Sequence, residues 1–358
     1  MSTWADLEAA PIKQIWQELR SLRSQKVGRA IGGDRRATFN AALEQAEQLF
    51  TAASSIGTAT QPILLFYGLS QLGRAVAPAS TKVGKEYRLT GHGIKDGELQ
   101  GAASLGLAQL VVQGLPKGSF PVVAKALDAS PMSEPLPLGK IWGLLPGADR
   151  FMLPGSGGLQ RLVLTPESSF IVPGVETARG QLSPLPIELQ LSVADPAGAP
   201  VPVDDKVIAK EKKALREFLA SYPSLMGWSL PDPVQPIPYG RGFYGTQPYL
   251  NVSLLFPKPS DVDEGSSLAR RGVEYHGDNH IYPRLDDTIL PAHPLLLWWS
   301  VLFTLSRLAR YEPNVWLKLT SVSEDASAVP IEYILGEATR AVPELALQAI
   351  IRNAAVGL

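Results

Sequence analysis

Apolar side chains recur every three to four residues at both ends of this chain and every two in its middle, so the hydrophobic pattern alone divides it. Over residues 11–25, Ile12, Ile15, Trp16, Leu19 and Leu22 form one apolar stripe and predict an amphipathic helix. Asp34 is the expected N-cap of a second helix, which carries Phe39, Leu43, Ala46 and Phe50 at helical spacing. A third should open at Gln61-Pro62, where proline's missing N–H costs little, and run through Val76. Pro78 is expected to end it. That helix is apolar almost all round, which suits only the middle of a bundle.

The middle of the chain is richer in Gly and Pro, and its apolar runs are shorter. Residues 107–113, 161–165 and 187–193 read as strands; in the last, Ile187, Leu189, Leu191 and Val193 alternate with Glu188, Gln190 and Ser192. A helix is predicted over 204–221, with Val207, Leu215, Phe218 and Leu219 on one side and Lys206, Lys210, Lys212, Lys213 and Arg216 elsewhere. Residues 231–245 read as a Pro/Gly-rich loop, 249–256 as a strand and 261–271 as a polar, mobile loop. Helix returns over 291–311, long and apolar, and over 330–349, where Pro343 should introduce a kink.

The third helix and the helix over 294–311 are both too apolar to face water, so each needs a partner of similar character. The expected architecture is therefore α+β: a helical core built from the N- and C-terminal helices, with a β-rich insertion between them. The expected segments are 1–95, 96–290 and 291–358. The apolar run Leu295–Leu305 is well short of the roughly 20 residues a membrane span needs. The first residues lack the basic and apolar runs of a secretory signal.

Charge and composition narrow the chemistry. Among 358 residues, 33 Lys and Arg face 34 Asp and Glu, so no whole-chain field draws the protein to nucleic acid or membrane. Cysteine is absent, which excludes disulfides, Cys-based zinc and iron–sulfur sites and thiol nucleophiles, and fits a reducing cytoplasm. The sequence carries no P-loop, dinucleotide fingerprint, nucleophile elbow or H-E-x-x-H. Pro154-Gly155-Ser156-Gly157-Gly158 reads as a turn. His276 and His280, near Glu274 and Asp278, would share a face only on a helix, and Gly-Asp-Asn between them is turn chemistry. A solvated loop, with no metal, is expected there. No cofactor is expected anywhere. His293 precedes Pro294 and should contact a helix end.

The candidate site comes from polar positions on apolar helices. Tyr67, Gln71 and Arg74 lie at i, i+4 and i+7 on the third helix; Ser300, Thr304, Arg307 and Tyr311 continue the same rule on the late helix, with Arg310 beside them. If the two helices pair, the stripes meet or line one cleft, with His92 of the His92-Gly93 turn near its mouth. Arginine so placed either pairs with a carboxylate and fixes helix register or holds an anion such as phosphate. His92 either binds a loop carbonyl or serves in proton transfer or anion contact. Arg20, Arg23, Lys26, Arg29, Arg35 and Arg36 form a basic cluster near one acid, Asp34: a solvated helix end, or a contact for nucleic acid or an acidic partner.

The order of these features resembles the YaaC-like family of bacterial proteins. The resemblance rests on Gln61-Pro62-Ile63-Leu64-Leu65-Phe66-Tyr67 with Arg74-Ala75, on His92-Gly93-Ile94, on Gly118-Ser119-Phe120, and most specifically on residues 305–316, Leu-Ser-Arg-Leu-Ala-Arg-Tyr-Glu-Pro-Asn-Val-Trp. Gly73-Arg74 departs from the Lys-Ala type of pair in that pattern. The first helices and the His-Gly also resemble HEPN domains, whose catalytic members carry Arg, four to six residues and His on a helix. Arg88 and His92 have three residues between them, in a Gly-containing turn.

These resemblances imply a cytoplasmic bacterial protein that binds a partner protein or RNA, in a stress or phage-defence setting. One alternative they imply is a metal-independent ribonuclease using His92 with Arg88 or Arg74, with Tyr67 or Arg307 as phosphate contacts. From the cationic stripes, the other alternative is a binder of a small anionic ligand such as a nucleotide, on Tyr67, Gln71, Arg74, Arg307, Arg310 and Tyr311. A homo-oligomer is left open.

Overall fold

The most apolar N-terminal segment becomes the axis of a helical bundle. A computed structural model describes residues 4–167, 174–186, 189, 205–231, 239–244, 247–275 and 277–355. The chain forms two compact units: Met1–Leu159 with Leu285–Leu358, and Gln160–Arg284. The first unit holds α1 (Trp4–Leu22), α2 (Gly33–Ala53), α3 (Gln61–Ala79), β1 (Ile94–Asp96), α4 (Ala102–Leu105), β2 (Val111–Gly114), α5 (Ser119–Leu127), β3 (Leu136–Pro137) and α6 (Leu138–Trp142). The second holds β4 (Leu162–Pro166), β5 (Thr177–Leu185), α7 (Asp205–Leu219), β6 (Tyr239–Tyr244), β7 (Gln247–Pro257), α8 (Glu264–Ala269), β8 (Val273–Tyr275) and β9 (Asp278–Ile281). The first unit then resumes with α9 (Pro294–Tyr311), α10 (Pro313–Leu319) and α11 (Ala328–Ala355).

The fold is α+β, its helical core built from both ends of the chain. Helix α3 packs on α2, α5, α9 and α11. Its glycines set how closely two neighbours approach. A Cβ at Gly68 would lie 2.7 Å from the Phe50 ring of α2, and one at Gly73 would lie 2.5 Å from the Trp299 ring of α9. Phe66 and Phe303 meet edge to face at 5.5 Å, and Phe120 of α5 meets Trp299 at 6.2 Å, arrangements that suit the ring quadrupole.

Several elements depart from the sequence expectation for local reasons. Helix α2 begins one residue before Asp34, after the N-cap Gly32; Asp34 lies in the first turn, where its charge suits the helix dipole. Pro78 does not end α3, which continues to Ala79. The carbonyls at that end are gathered by Arg35, which donates to Pro78 O at 2.9 Å and to Val83 O at 2.6 Å. Helix α11 continues through Pro343 to Ala355. The strand expected over 107–113 is a single 3₁₀ turn, Leu107–Gln109, followed by β2, the centre of a small antiparallel sheet β1-β2-β3.

The inserted unit is narrower than 96–290. Residues 96–159 belong to the helical unit, because Val112, Phe120, Val123, Ile141 and Trp142 are buried there and α5 and α6 pack on α9. The inserted unit is one antiparallel sheet of order β6-β7-β5-β4-β9-β8. Its core joins Leu162, Leu182, Leu250, Val252 and Leu254 of the strands to Leu215 and Leu219 of α7. Residues 239–244, expected in a loop, pair with β7 as β6. Within the polar stretch 261–271, Asp263 caps α8 by accepting from Ser266 N at 2.8 Å. The strand expected over 187–193 lies outside the described residues except for Leu189. Residues 273–275 and 278–281 pair as antiparallel strands rather than forming a solvated loop. Tyr275 pairs with Asp278, Gly277 takes φ +82°, and His280 is buried on β9; His276 lies outside the described residues.

Candidate functional site

The pairing of α3 and α9 brings one end of each polar stripe together. Arg310 Nη1 donates to the Tyr67 hydroxyl at 3.0 Å, and its Nε donates to Ser306 O at 3.1 Å. The Arg310 guanidinium lies 5.6 Å from the Tyr67 ring centre and 5.0 Å from that of Tyr311; Arg307 lies 5.4 Å from the Tyr311 ring. Tyr67 and Tyr311 are both exposed, at 38% and 60%. The other end of the α9 stripe does not take part. Ser300 and Thr304 are fully buried, and their hydroxyls return to their own helix, donating to Leu296 O and Ser300 O. Gln71 is half-buried and makes no hydrogen bond among the described residues.

His92 is held at this end by its backbone. Gly91 and Gly93 take φ +63° and +72°, a region that favours glycine. The turn they make lies across the N-terminus of α5. Gly91 O accepts from Ser119 N at 3.2 Å and from Ser119 Oγ at 2.6 Å, and His92 O accepts from Phe120 N at 2.9 Å, so the turn satisfies the first free N–H groups of the helix. A Cβ on Gly118 would lie 2.4 Å from Gly93 Cα, so the two motifs touch backbone to backbone. The exposed imidazole sits 5.3 Å from the Phe66 ring and 5.9 Å from the Phe303 ring. Partial desolvation, then the charges of Arg310, Arg74 and Arg307, hold its pKa below the ordinary 6.5, so it is neutral at neutral pH. Arg74 donates to Leu89 O at 3.0 Å, which fixes it beside the turn.

The sequence reading missed one group. Asp96, at the end of β1, lies 2.9 Å from Arg307, with its side chain 1% exposed. Both of its carboxylate oxygens and Arg307 Nε lack a hydrogen-bond partner, so the contact is an ion pair with poor hydrogen-bond alignment. Burial raises its pKa to about 6 against the opposing pull of Arg307 and Arg310. The signal was present: in Ile94-Lys95-Asp96 an exposed lysine separates a buried isoleucine from the acid, so strand alternation places Asp96 inward. Glu312, which follows the last residue of α9, accepts from Gln100 at 3.3 Å.

The structure does not assemble Arg88 with His92. Arg88 pairs with Asp34 at 2.5 Å and lies against the Tyr87 ring, and the charges acting on His92 are those of Arg310, Arg74 and Arg307. The N-terminal basic cluster is largely used internally. Arg20 and Arg23 pair with Glu47 and Glu44, Arg29 and Arg35 bind Val83 O, and Arg36 binds the carbonyls of Arg23, Gln25 and Ala30. His293 caps α9, its Nδ1 accepting from Leu295 N at 3.1 Å. Trp316, at the end of the most specific motif, donates to Thr58 O and Ala59 O and so ties α10 to the turn before α3.

No helix among the described residues is long and apolar enough to cross a membrane. A model of the YaaC-like Protein family matches residues 7–350. Neither the curated proteins nor the solved structures yield a match.

Proposed function

The chain belongs to the YaaC-like protein family, and from that premise we propose that the seam between α3, α9 and the His92 turn binds a phosphate-bearing ligand. The residues on which the family resemblance rests, Tyr67, His92, Gly118-Ser119-Phe120 and Arg310-Tyr311, come together at this seam. One observation carries the reading: Arg74, Arg307 and Arg310 all act on His92, and only Arg307 has a carboxylate partner among the described residues. The Arg310 fork is fixed by a backbone carbonyl and a phenol, neither of which neutralises it. Such a cation is pre-organised for a phosphate's oxygens, which it can bind through parallel N–H donors. The exposed faces of Tyr67 and Tyr311 offer stacking surfaces for a nucleobase, and neutral His92 can donate one N–H to the same anion. A chain without cysteine suits a cytoplasmic setting for this binding.

Calorimetry and thermal melting with inorganic phosphate, ADP and a 5′-phosphorylated oligoribonucleotide test the proposal. Binding of at least one is expected. Arg310→Ala should weaken it about tenfold or more, since a charge-assisted hydrogen bond is worth about 1.5–3 kcal/mol, with the ligand-free melting temperature little changed. ADP bound more tightly than the oligonucleotide would mark a nucleotide site, and the reverse an RNA end. Cleavage of the RNA in EDTA, abolished in His92→Ala, would convert the binding site into a ribonuclease. Failure of all three ligands to bind would overturn the proposal.

A further inference from the structure

Asp96 makes the seam more than a cluster of cations. Its carboxylate is almost wholly withdrawn from solvent, receives no hydrogen bond from another residue and is balanced by one direct ion pair, whereas its partner Arg307 is 35% exposed and faces the seam. A buried carboxylate in this position depends chiefly on Arg307, its one direct ion-pair partner, for its charge, with smaller help from its own backbone N–H and from Arg310. An incoming anion that binds Arg307 competes for that same guanidinium. We infer that anion capture at the seam is coupled to protonation of Asp96: Arg307 turns from Asp96 to the bound anion, and Asp96 takes one proton from solvent and becomes a neutral carboxylic acid. This inference rests on the reading of the seam as an anion site.

The surroundings support the coupling. The groups facing Asp96 are Arg307 and Arg310 of α9. The neighbouring strand β2, Val111–Gly114, carries no charged side chain, and Lys95 on its own strand lies on the opposite, exposed side. With Arg307 in place the carboxyl already titrates near pH 6, and loss of that partner raises it further. A proton is therefore taken up on binding at neutral pH, and affinity falls as pH rises above about 6. Partial desolvation and the neighbouring arginines hold the His92 pKa below its ordinary value, and a variant at His92 separates its protons from those of Asp96.

Inorganic sulfate is the probe, because it stays a dianion across the range and adds no titration of its own. Calorimetry of the full chain at pH 7, in two buffers of different ionisation heat, reads the protons exchanged. Wild type should take up a substantial fraction of one proton. Asp96→Asn should bind sulfate at least as tightly with that uptake abolished, and its affinity should change less than threefold between pH 6 and 8. His92→Gln should keep the uptake. Should Asp96→Asn fold poorly, Arg307→Gln serves instead, binding more weakly and without uptake because Asp96 no longer has a partner to lose. Binding by wild type without proton uptake, or equal uptake by wild type and Asp96→Asn, overturns the coupling and leaves the anion site standing. Failure of wild type to bind sulfate, phosphate, ADP or RNA overturns both.

Discussion

At the scale of single residues, the side chains that organise this protein act through backbone groups as often as through each other. His293 is the clearest case. It is half-buried, its Nδ1 accepts from Leu295 N, and desolvation, reinforced by the charge of Arg352, lowers its pKa to about 3 from the ordinary 6.5. The native state therefore refuses a proton that the unfolded chain accepts. This costs nothing above the ordinary pKa; stability falls as pH drops from about 6.5 towards about 3. Asparagine also caps helices through a side-chain oxygen, so His293→Asn should retain the cap while flattening that slope. Urea unfolding of both proteins at pH 7, 6, 5 and 4 measures the difference, and parallel slopes would count against it. Asp286 adds to the acid sensitivity of both proteins: burial pushes its pKa up, but hydrogen bonds from Thr288, Ser130 and Ser133 outweigh it and hold the pKa below the ordinary value. The end-of-helix role of His293 was legible from its place before Pro294. The geometry of Asp96 was not, because an ion pair across 211 positions of sequence leaves no local pattern.

At the scale of elements, the close packing of α3 depends on what its glycines omit. Gly73→Ala would drive a Cβ into the rigid Trp299 ring, and overpacking of this kind costs about 1–3 kcal/mol, more than the gain of about 0.5–1 kcal/mol from better helix propensity. Gly336, exposed within α11, has nothing within 4 Å of the same added atom, so Gly336→Ala should gain stability by about 0.5–1 kcal/mol. Thermal melts of the two variants should move in opposite directions. The existence and apolar character of α2, α3 and α9 followed from their periodicity. Where they stop did not, because helix ends depend on distant partners: the C-terminus of α3 is held by Arg35, from another helix. Strand β6 was hidden for a similar reason, since its turn-like composition carries no alternation and its hydrogen bonds come from β7.

At the scale of the whole molecule, the chain leaves one compact unit, completes another and returns. The inserted unit has its own core, centred on Leu164, Leu254, Phe256 and Leu215, so residues 160–284 expressed alone should fold. A cooperative thermal transition with dispersed amide resonances is the expected outcome, and a non-cooperative melt would show that the core needs the rest of the chain. That two apolar helices from opposite ends must meet was readable in the sequence, since neither could face water. That residues 96–159 join them was not: their strands are short, and the buried faces of α5 and α6 acquire meaning only against α9.

The sequence by itself determined the periodicity, the burial demand of α3 and α9, and which side chains could carry positive charge, because these follow from residue type and local spacing. Only the tertiary structure decided which cations remain available at the seam. It placed Asp96 against Arg307, bound Arg20, Arg23, Arg29, Arg35 and Arg36 to acids and carbonyls elsewhere, and left Arg310 between two exposed tyrosines. The physical reason is that charge is neutralised through space, over a few ångströms, by groups whose separation along the chain is unrelated to that distance.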